Sequence, residues 1–142
     1  MTGDLALMEA SLLAVGETDL RPLIFDQFFE IFPHYRPAFL NLEASSGRMI
    51  NETLEMMMGL AEDAKWVQVT IVNFVDLHRN YGAFPVADYE AFIDLTLICL
   101  ANAAGAGWTA DADLAWKRHA ETLKTMIATS PLFGMHDLNK HS

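Results

Sequence analysis

Proline and glycine cut this chain into pieces of helical length, and in several of them the apolar residues recur with a helical period. The most constraining piece is Trp66–His78. It is rich in Val and Ile, which favours a strand by propensity alone. Yet Val67, Ile71, Phe74, Val75 and His78 fall at spacings 0, 4, 7, 8 and 11, which is one face of a helix. Alternation of period two is missing, and so are the Asn-Gly and Asp-Gly signals of tight hairpins.

The rest of the chain follows suit. Leu5–Val15 is stopped by Gly16. Thr18 is placed to cap a second helix that tolerates Pro22 in its first turn and breaks at Pro33. Pro37 comes so soon after that Pro33–Leu40 reads as a short corner. Ser45 or Ser46 then caps a helix to about Leu60, with the stripe Ile50, Leu54, Met57 and Met58. Gly82 ends the Trp66–His78 helix; another runs from Pro85 to Ala104, before Gly105 and Gly107. Thr109 caps the last, through about Thr129, with the stripe Trp116, Ala120, Leu123 and Ile127 and a stop at Pro131. The ends, residues 1–4 and 132–142, read as loose. The expectation is one all-α domain over residues 1–142, with about six helices. An up-and-down bundle and a crossed stack of helices both satisfy these stripes.

Composition narrows the partners. Nine Lys+Arg against nineteen Asp+Glu leave a net charge of −10. Nucleic acid and anionic membranes need basic surfaces, so neither is expected as a partner. The N-terminal segment carries Asp4 and Glu9 and no basic residue, unlike a secretory signal. The most apolar run, Leu95–Trp108, is shorter than the ~20 residues a membrane span needs. A soluble, cytoplasmic protein is expected. The single cysteine, Cys99, excludes an internal disulfide and any multi-cysteine zinc site. It sits mid-helix among apolar residues, where a thiol is usually an inert small hydrophobe.

Five histidines are present: His34, His78, His119, His136 and His141. None pairs with another at the i, i+4 spacing of a helical zinc site, and there is no HExxH, phosphate loop or GxSxG. His78 stands apart because it ends an apolar stripe. Taken alone, such a histidine is more often a packed or capping residue than a ligand.

Three stretches together resemble a bacterial single-domain globin of the flavohaemoglobin kind. Phe28-Phe29-x-x-x-Pro33-x-x-x-Pro37-x-Phe39 is similar to the second helix and its corner. Leu77-His78-x-x-Tyr81-Gly82-x-x-Pro85 is similar to the proximal helix and the turn after it. Gly107-Trp108-Thr109 and Ala115-Trp116 are similar to the join into the last helix. The resemblance spans roughly Leu20 to Ile127. It implies a globin-like three-over-three sandwich around one haem b that binds a diatomic gas (O2, CO or NO). His78 then matches the proximal iron ligand, its second ring nitrogen donating to a carbonyl such as that of Phe74. Phe39 matches the ring-stacking position, and Phe84, Phe92 and Leu123 match apolar walls. Tyr81 belongs to the turn after the ligand. An alternative is a haem-free domain of the same fold that binds a protein partner.

Departures from the family bear on chemistry. Alignment on Leu54 puts Ser46 at the distal position and Ile50 one turn further, and Phe25 stands where a tyrosine is common. Phe25 and Ile50 cannot donate a hydrogen bond, and losing such a bond costs roughly 10- to 150-fold in O2 affinity. Weak, fast-leaving O2 is expected. Met49 lies beside the distal face, and a register slip of one brings its sulfur toward the iron. Tyr89 falls one residue later than the tyrosine that follows this proline in the family, and the glutamate that pairs with it has no counterpart. Any nitric-oxide turnover is expected to need a separate redox partner protein, and monomer and homodimer both remain open.

Overall fold

The computed structural model describes residues 2–39, 41–79 and 85–130, apart from the side chains at positions 2, 77 and 79. The described residues form six helices: α1 (Thr2–Val15), α2 (Leu20–Ile31), α3 (Leu42–Ala61), α4 (Trp66–Arg79), α5 (Val86–Ala104) and α6 (Ala110–Ala128). A 3-10 corner, Pro33–Ala38, joins α2 to α3, and a short 3-10 turn, Gly105–Gly107, joins α5 to α6. No strand occurs among the described residues. The all-α expectation therefore holds, and the Val/Ile-rich Trp66–His78 stretch is helical because its buried face, not its propensity, decides.

The helix ends show where local chemistry was read correctly and where it was not. Thr109 caps α6 by accepting from the Ala112 N–H at 3.0 Å. For α2 the cap is Asp19, one residue beyond the expected Thr18; its carboxylate accepts from the Arg21 N–H at 3.1 Å. For α3 the cap is Asn41, whose side chain accepts from the Ala44 N–H at 3.4 Å. Ser45 and Ser46 thus fall inside the helix. Gly16 closes α1 and Gly105 closes α5, both with positive φ, which glycine adopts without strain.

α6 is the central element: it packs on α1, α3, α4 and α5, while α2 lies on α3 and α5. One buried cluster gathers around Trp116, Leu100, Leu123, Met56 and Met57; a second holds Phe25, Phe28, Phe29, Ile50, Phe92 and Cys99. The second is largely aromatic, with Phe25 edge-on to Phe39 at 5.4 Å and Phe28 edge-on to Phe92 at 5.6 Å. α5 is long and apolar enough to cross a membrane by length and composition, but Phe92, Ile93, Leu97 and Leu100 are buried in the clusters. Cys99 is buried between α2 and α5. Its thiol donates to the Leu23 carbonyl at 3.5 Å and accepts from Gln27 Nε2 at 3.4 Å. Burial pushes this thiol up, only partly opposed by Gln27.

Candidate functional site

Between the two clusters lies a partly open cavity of about 140 Å³. Phe28 of α2 and Tyr35, Ala38 and Phe39 of the corner form one side. α3 contributes Ser45, Arg48, Met49, Glu52, Thr53 and Met56; α4 contributes Phe74 and His78. α5 adds Asp88, Tyr89, Phe92 and Ile93, and α6 closes the back with Leu123 and Ile127.

His78 is the imidazole of this wall. Its Nδ1 lies 2.7 Å from the carbonyl of Phe74, one helical turn earlier. A carbonyl only accepts, so Nδ1 carries the hydrogen and the lone pair of the neutral ring sits on Nε2. The ring centroid is 4.5 Å from that of Phe74 and 5.5 Å from that of Tyr89. Burial lowers the His78 pKa, partly opposed by the Phe74 carbonyl, which favours the neutral, metal-competent form. The Tyr89 hydroxyl is pushed up to about 12 by burial and stays protonated.

The α3 wall mixes thioethers with polar side chains. Met49 and Met56 present thioethers, and the Thr53 hydroxyl donates within its own helix to the Met49 carbonyl at 2.8 Å. Arg48 is exposed, while Glu52 is half-buried. Burial raises the Glu52 carboxyl, Glu55 adds to the rise, and Arg48 opposes it. Between two half-exposed lining residues, the Tyr35 hydroxyl donates to the Asp88 carboxylate.

Of the residues singled out in the sequence, the cavity brings together Phe39, Met49, Phe74, His78, Tyr89, Phe92 and Leu123. Four stand elsewhere. Phe25 and Ile50 are buried in the aromatic cluster, Leu54 packs against both clusters, and Ser46 is buried with its hydroxyl donating to the Glu43 carbonyl at 3.2 Å. Tyr81 and Phe84 lie outside the described residues. Sequence reasoning passed over Tyr35, Ser45, Arg48, Glu52, Thr53 and Asp88. The available signal was a second stripe on α3: Ser45, Met49, Glu52 and Met56 repeat at 0, 4, 7 and 11, rotated from the Ile50–Leu54 stripe.

No cluster of three or more His, Cys, Asp or Glu able to hold a metal ion occurs among the described residues. A single imidazole cannot retain a bare ion, but it suffices for a metal already held in a chelating ring. Comparison with family models, with curated proteins and with solved structures finds no match.

Proposed function

We propose that the cavity holds one haem b with His78 as its protein ligand, and that the protein is a globin that reversibly binds a diatomic gas. The observation that carries this reading is the Phe74–His78 bond. It fixes a neutral imidazole in the wall of a mostly apolar cavity, with the nitrogen lone pair on Nε2.

The residues present fit such a group. Phe39, Phe74, Phe92, Ile93 and Leu123 supply apolar walls for a flat macrocycle, and exposed Arg48 supplies positive charge at the mouth for its carboxylates. When bound, haem iron provides the coordination position at which O2, CO or NO binds reversibly. The chain's own residues then do three things. Phe74 orients His78, and burial keeps the imidazole neutral. The apolar walls exclude water. The Met49 and Met56 thioethers face the cavity without a hydrogen to donate, which supports weak, fast-leaving O2 with a smaller penalty for CO or NO. In this reading the six helices form a three-over-three globin sandwich, supported by the packing of α6 on α1, α3, α4 and α5.

The test is an absorption spectrum of the purified protein after haem addition, oxidised, dithionite-reduced and under CO. The expected result is a Soret band that shifts with CO and is lost in His78→Ala. No band above free haem overturns the proposal in favour of a haem-free domain that binds a protein partner.

A further inference from the structure

The corner between α2 and α3 is attached to the body in an unusual way. None of its six residues, Pro33–Ala38, is buried. Its backbone bonds are local: Tyr35 N–H donates to Phe32 O at 3.2 Å, and Phe39 N–H to Arg36 O at 3.1 Å. Pro33 and Pro37 fix φ at both ends, so the segment moves as a unit. It is held to α2 by ring contacts: Tyr35 stacks on Phe28 at 6.0 Å, and Arg36 lies over Phe29 at 5.4 Å. On a half-exposed side of the cavity it is held to α5 by the hydrogen bond from Tyr35 to Asp88.

Both partners of that bond line the cavity. The bond therefore spans from the corner to the first turn of α5, at the cavity's edge. It is charge-assisted, and the α5 N-terminus favours the carboxylate that accepts it. A segment with little buried surface is where local opening is easiest.

We propose that the Tyr35–Asp88 bond is a clasp that gates access to the cavity, and that molecules enter and leave when it breaks and the corner swings away from α5. The gate is independent of what the cavity holds. A clasp of this kind sets the open fraction, which multiplies entry and exit alike. Removing it leaves the equilibrium affinity nearly unchanged and raises both rate constants by about tenfold, the low end for a half-exposed bond to a charged group. A residue that merely touches the ligand behaves differently: its loss raises the exit rate alone.

The experiment is stopped-flow binding of the uncharged probe N-phenyl-1-naphthylamine to wild type, Tyr35→Phe, Asp88→Leu and the double variant. The cavity signal is defined as the fluorescence removed by Leu123→Trp, which fills the back wall. Both single variants keep the shape of the clasp and lose its charge-assisted bond. The expected result is faster entry and exit in each single variant, with no further gain in the double variant, because one bond is broken in all three. Equal rates in the four proteins, a change confined to exit, additive effects in the double variant, or no cavity signal in any protein overturns the gate.

Discussion

The indole N–H of Trp116 donates to the hydroxyl of Ser11 at 2.7 Å, where α6 packs on α1. Both side chains are fully buried, and the same hydroxyl passes its own hydrogen to the Met8 carbonyl at 2.6 Å. The largest buried side chain of the core is thus fixed by one small polar group. Ser11→Ala leaves a buried N–H unpaired, and a loss of about 1–3 kcal/mol is expected. Urea unfolding followed by circular dichroism measures it; an unchanged midpoint means the indole finds another acceptor.

At Gly59, α3 packs tightly against the start of α4. A Cβ at this position falls 2.5 Å from Val67 Cγ2 and within 2.9 Å of the Trp66 ring. Trp66 is half-exposed and can move, whereas Val67 is buried. Gly59→Ala gains about 1 kcal/mol in helix propensity but over-packs this contact by about 1–3 kcal/mol. A lower melting temperature is expected. A rise would show that α4 yields without strain.

Asp4 ties α1 to α6. It accepts from Arg118, and from His119 Nε2 at 2.9 Å. The Arg118 hydrogen bond, helped by His119 and opposed by burial, holds its carboxyl below the ordinary value of 3.8. A lowered pKa means that the unfolded chain takes up the proton first. The stabilisation is full above pH 3.8 and is lost as pH falls below that value through the folded-state one. Asp4→Asn therefore lowers stability at neutral pH, and its difference from wild type narrows in acid. Parallel stability curves down to the acid limit would contradict this.

On the haem reading, the rotated stripe of α3 determines which substitution a bound gas feels. Met49→Gln puts an amide donor on the cavity wall and is expected to slow O2 release by roughly tenfold in haem-loaded protein. Ser46→Gln, on the side away from the cavity, leaves the rate unchanged. Flash photolysis decides it, and the opposite ranking would reject the described orientation of α3.

The contrast on α3 also shows what the sequence could yield. Helix existence was legible in α3, α4 and α6 because their buried faces repeat at the helical period, and in the other helices from Pro/Gly punctuation; Val67, Ile71, Phe74 and Val75 overrode their strand propensity for the first reason. His78 was legible because an imidazole at the end of such a face is conspicuous. The α3 register was not. That helix has two apolar faces, one packed on Phe25 and its neighbours through Ile50, the other lining the cavity through Met49 and Met56. Periodicity alone cannot rank two faces of similar strength. Tyr35 and Asp88 were invisible for another reason: they are 53 positions apart, and only the fold brings hydroxyl and carboxylate together.

Cys99 gives the molecule a built-in clock. Its sulfur is sealed between α2 and α5, with Leu23 and Gln27 over it, and its raised pKa keeps it a thiol rather than a thiolate. A thiol reagent in solution reaches it when the exposed Leu23 and Gln27 side chains, or the helix that carries them, move aside. The labelling rate of the single cysteine thus reads how often that cover opens, without any probe having to be added to the chain.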